Sequence, residues 1–82
     1  MNKYTYTNTQ KDEMQEKVAK LAQDITGEIW YIEGQYVVNT SNTKAINVTE
    51  YMDDFVYFEE LGEEHFSKYV KELIEEPEKE EE

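Results

Sequence analysis

The chain has 82 residues, with 20 acidic side chains, eight lysines and no arginine, for a formal net charge of −12 at pH 7. That length admits one domain with a single modest core, and the 38% apolar and 13% aromatic content suffices to fold it. Lack of cysteine excludes disulfides and thiolate metal sites, and lack of arginine removes the usual bidentate reader of phosphate and guanine, so direct nucleic-acid binding is not expected.

Residues 1–8 read as a polar arm, with Tyr4 and Tyr6 as its candidate anchors. From about residue 9 the pattern is helical. Met14, Val18, Leu21, Ala22 and Ile25 fall on one stripe, Thr9 is the candidate N-cap, and Gly27 suits the left-handed position after the last turn. Then the residue types change. Glu28–Glu33 and Gln35–Thr40 are β-branched and aromatic and join at Glu33-Gly34. This predicts a hairpin with Tyr31 facing Tyr36 and Trp30 facing Val37. Lys44–Tyr51 is the third candidate strand, with Ile46 and Val48 on one face and Ala45 and Asn47 on the other.

Residues 49–61 admit two readings. In one, Thr49-Glu50 caps a helix whose apolar positions are Tyr51, Met52, Phe55 and Val56. In the other, Asp53-Asp54 is a turn and Phe55-Val56-Tyr57-Phe58 is a fourth strand, which four consecutive β-formers favour. Past Gly62 the helical stripe returns at Phe66, Tyr69, Val70, Leu73 and Ile74, ending before Pro77. Four of the six residues 77–82 are glutamate, and the segment reads as a disordered acidic tail. The expected fold is therefore α+β. A single domain over residues 9–76 would hold an N-terminal helix, a three- or four-stranded antiparallel meander and a C-terminal helix, the helices on one face of the sheet.

No catalytic pattern occurs. His65 is the lone histidine, no G-x-S-x-G is present, and each glycine is accounted for by a turn or cap. The EF-hand loop pattern is missing too, so neither enzyme activity, metal nor cofactor is expected. Met1–Thr7 lacks the apolar run of a signal peptide, and no stretch approaches bilayer-spanning length; the expected location is the cytoplasm.

The charge is unevenly placed. Residues 1–49 carry six acids and five lysines, whereas residues 50–82 carry fourteen acids and three lysines. Solubility of a small domain is served by a net charge of roughly 2–8, so the excess suggests recognition of a basic groove. Asp53, Asp54, Glu59, Glu60, Glu63 and Glu64 lie within twelve residues that contain no lysine. As a dense carboxylate array they are the candidate stand-ins for DNA phosphates, with Tyr51 and Tyr57 as aromatic anchors.

In size, charge and lack of catalytic groups, the chain resembles the small acidic inhibitors that phages direct against nucleic-acid enzymes. These include anti-CRISPR proteins, anti-restriction DNA mimics and uracil-DNA glycosylase inhibitors. The resemblance implies a non-enzymatic inhibitor in the nucleic-acid groove of a host defence nuclease or related enzyme, acting in the host cytoplasm. The alternative is an adaptor or homo-oligomeric module that uses the aromatic sheet face, with Trp30, Tyr31 and Tyr36 making the contact.

Overall fold

A computed structural model of the chain describes residues 6–75. The element order is α1 (Asn8–Thr26), β1 (Trp30–Glu33), β2 (Tyr36–Asn39), β3 (Ala45–Asn47), α2 (Met52–Leu61) and α3 (Glu63–Glu75). The α+β class is as the sequence predicts, with three antiparallel strands in the order β1-β2-β3. The acidic segment 77–82 and most of the N-terminal arm, Tyr4 included, lie outside the described residues.

α1 starts two residues earlier than Thr9 suggests. Thr7 is the N-cap: its hydroxyl accepts from the Gln10 N–H while the Gln10 side chain accepts from the Thr7 N–H, a reciprocal capping box. Gly27 closes the helix at φ +77°, a left-handed conformation in which its N–H reaches the Gln23 carbonyl. The buried stripe is Met14, Gln15, Val18, Ala19 and Ala22, with Leu21 and Ile25 half-buried at its flank. Gln15 earns its interior place by donating to the Gly34 carbonyl at 2.7 Å, which ties α1 to the hairpin turn.

The hairpin register differs from expectation by one turn position. The loop is Gly34-Gln35, with Gly34 at φ +63° in the first loop position, the pattern of a type II′ turn. Tyr31 therefore opposes Val38, Ile32 opposes Val37, and Trp30 opposes Asn39. Moving the loop by one residue shifts the pairing by two, so each side chain keeps its predicted face. Trp30, Val37 and Ile46, followed by Val48, point into the core, and Tyr31, Tyr36 and Ala45 stay exposed on the other side. The Trp30 indole N–H donates to the Thr26 hydroxyl at 2.9 Å, so the ring is held under the end of α1 with both needs met.

The fourth strand does not form; residues 52–61 are helical. β3 stops at Asn47, whose side-chain oxygen accepts the Glu50 N–H while its carbonyl accepts from Tyr51, and this coils the chain. Asp53 and Asp54 then sit in the first turn of α2, where negative charge suits the helix end. Packing decides the matter. A 3.6-residue period sends Met52 and Phe55 inward together, and Phe55 meets Phe66 and Tyr69 edge-on at 5.9 and 5.3 Å. A strand would have put Phe55 and Tyr57 on one face instead. The N-cap is Tyr51, without a side-chain capping bond, and not Thr49.

α1 lies across β1 and β2. α2 and α3 pack on each other, and α3 packs on α1. One core joins Met14 and Val18 of α1, Trp30, Val37 and Ile46 of the sheet, Met52 and Phe55 of α2, and Phe66 and Val70 of α3. All the helices thus serve one side of the sheet. No helix among the described residues is long and apolar enough to cross a membrane.

Candidate functional site

With Met52 and Phe55 turned inward, α2 must show solvent its opposite side. Asp53, Tyr57 and Glu60 recur there at spacings of four and three, all exposed. Seven residues of helical rise separate Asp53 from Glu60, about 10 Å. Glu64 is exposed in the first turn of α3, directly after the Gly62 break. Tyr57 is 57% exposed, the most of any tyrosine among the described residues, and Leu61 beside Glu60 is 47% exposed. Tyr51 is 39% exposed at the start of α2.

Two of the carboxylates are held in place by phenols. Tyr6 donates to the Asp53 Oδ1 at 2.5 Å, so the arm anchor is Tyr6 and its target is the acidic helix. Tyr69 of α3 donates to the Asp54 Oδ2 at 3.2 Å and crosses from one helix of the pair to the other. Both bonds leave each carboxylate with spare acceptor capacity toward solvent.

The other two predicted acids point elsewhere. Glu59 forms an ion pair with Lys17 of α1, and Lys17 also sits 5.7 Å from the centroid of the Phe66 ring. Glu63 joins them around a cleft of about 350 Å³ between α1 and the α2–α3 junction, completed by Lys20, Leu21 and Asp24. Two lysines therefore offset three carboxylates in that cleft. All six sequence neighbours are exposed; Glu59 and Glu63 line the cleft, and Asp53 and Asp54 each accept from a phenol.

Leu61, Lys17 and Lys20 escape a reading of the sequence. An exposed leucine on an amphipathic helix carries no signal in one dimension, and the Lys17–Glu59 pair spans 42 residues. The sheet side contrasts with the helix pair. Residues 29–49 contain one glutamate and one lysine, whereas 52–75 contain eight acids and two lysines. Charge is thus polarised across the fold, with carboxylates on the helical pair and an almost uncharged aromatic face on the sheet. Among the described residues no group of three or more His, Cys, Asp or Glu is placed to hold a metal ion, and His65 is exposed on α3. Comparison with protein-family models, curated proteins and solved structures gave no match.

Proposed function

We propose that this chain is a non-enzymatic inhibitor that occupies the basic nucleic-acid-binding groove of a host defence nuclease or related enzyme, as a DNA mimic. The observation that carries the reading is the row Asp53, Tyr57 and Glu60 on the exposed side of α2, followed past Gly62 by Glu64, exposed in the first turn of α3. One DNA strand advances about 3.4 Å per phosphate, so the span from Asp53 to Glu60 matches the rise of roughly three nucleotides. Because α2 and α3 are fastened to each other through Phe55, Phe66 and Tyr69, the row is rigid before binding, which lowers the ordering cost of recognition. Tyr57 supplies the apolar anchor that carboxylates alone lack.

The test uses a DNA-dependent nuclease captured from host lysate at low salt. Binding should weaken steeply with added sodium chloride, and duplex DNA should compete for the same groove. The combined variant Asp53→Lys, Glu60→Lys and Glu64→Lys should lose at least about tenfold in affinity, or 1.4 kcal/mol. Unchanged binding by that variant, or binding that persists in molar salt, sinks the proposal.

A second reading rests on the sheet face away from the core, where Tyr31 and Tyr36 are 43% and 42% exposed. An adaptor using that face would be indifferent to the three charge reversals and sensitive to Tyr36→Ala. Trp30 drops out of this contact set, because it is 5% exposed and belongs to the core.

A further inference from the structure

Among the described residues none pairs with the outer edge of β1. The Thr40 N–H donates to the Ile29 carbonyl, which makes 29 and 40 a hydrogen-bonded pair. Antiparallel ladders alternate, so Tyr31 and Glu33 also spend their backbone groups on β2, while the N–H and C=O of Trp30 and Ile32 point away from it. The opposite edge of the sheet is different, because the turn after β3 folds back on Asn47 and occupies its carbonyl. β1 carries no lysine, proline or bulge between Ile29 and Glu33, and its one charge, Glu33, stands at its loop end. Instead Ile29, Tyr31 and Ile32 are exposed at 61%, 43% and 41% along it.

We infer that β1 pairs with β1 of a second copy across a two-fold axis, giving a continuous six-stranded antiparallel sheet. Two features select a second copy as occupant. The first is charge. A chain of net −12 repels itself on most sides, but residues 29–49 carry only Glu33 and Lys44, so this edge is where two copies meet with the fewest carboxylates. The second is register. With Tyr31 opposite Tyr31 of the second copy, Trp30 opposes Ile32 in both directions, and all four outward-facing N–H groups find carbonyls. In that register Glu33 meets Ile29 and Glu28 meets Gly34, so no two like charges stand opposite each other. The pairing is independent of the α2–α3 surface, which lies on other elements of the fold.

Sedimentation over a concentration series, with amide hydrogen exchange read by NMR on the full chain, tests the inference. The Trp30 and Ile32 amides should gain protection as concentration rises, while those of Tyr31 and Glu33 are protected throughout. Residue 31 stands opposite itself, so Tyr31→Glu and Tyr31→Lys should each weaken association about tenfold or more, and an equimolar mixture of the two should restore it. Both substitutions are at an exposed position, and circular dichroism checks that each variant is folded. A monomer at all concentrations to about 1 mM overturns the inference. So does a dimer whose Trp30 and Ile32 amides stay unprotected, or a mixture that fails to recover association.

Discussion

Truncating Phe55 and Tyr57, two residues apart, distinguishes the helical from the strand period in the segment 52–61. Phe55 is fully buried and meets Phe66 and Tyr69 edge-on. Phe55→Ala removes the ring, leaves a cavity and breaks two aromatic contacts, a loss of about 3–5 kcal/mol. A domain of this length has a total stability of roughly 4–12 kcal/mol, so the variant should lose at least about a quarter of it and, at the low end, all of it. Its midpoint should fall by on the order of 15–30 °C. Tyr57, 57% exposed, loses mainly its T-shaped contact with Phe58, and Tyr57→Ala should cost about 1 kcal/mol or less. Urea denaturation followed by circular dichroism measures both, with equal slopes expected for the wild type and Tyr57→Ala. Comparable losses at 55 and 57, with small ones at Val56 and Phe58, would show two-residue alternation and refute the helical assignment. A loss at Phe55 below about 1.5 kcal/mol would refute its place at the centre of the core.

Two further outcomes follow from polar groups outside the proposed binding surface. Asn39 is 4% exposed, and its side-chain oxygen accepts from the Thr43 and Lys44 N–H groups at 3.0 Å. Asn39→Ala should therefore cost about 2–3 kcal/mol in the same denaturation experiment, and a change under about 0.5 would mean that water replaces those bonds. Glu28 is held below the ordinary glutamate range by the Ser41 hydroxyl and then by the Ser41 N–H, which donates to it at 2.8 Å. A lowered carboxylate stabilises the fold above its unfolded value of about 4.3 and loses that contribution as pH falls through the native value. Glu28→Gln should thus flatten the acid limb of the stability curve, and an NMR titration midpoint at or above the ordinary value would contradict the contact.

Local physics was legible in the residues themselves. The apolar stripe of α3, the left-handed Gly27, the β-branched run of the hairpin and the inward parity of Val37 and Ile46 all depend on neighbours a few positions away. For that reason the α+β class and the alternation of the sheet could be read directly. The hairpin divides: a two-residue II′ loop takes glycine first, so local preference favours Gly34-Gln35 over Glu33-Gly34, while the anchoring of that turn on α1 through Gln15 is visible only in the fold. The same holds for the acids, whose density is plain in the chain while their division between solvent and the Lys17 cleft is not.

Composition and periodicity by themselves determined the α+β class, with carboxylates concentrated downstream of β3. Tertiary structure alone decided that Phe55-Val56-Tyr57-Phe58, strong strand-formers in isolation, are helical. The reason is that β propensity is realised only when a strand has an edge to pair with and a face to bury, whereas here burial against Phe66 and Tyr69 rewards a helical period. The orientation of every acid on α2 follows from that one choice.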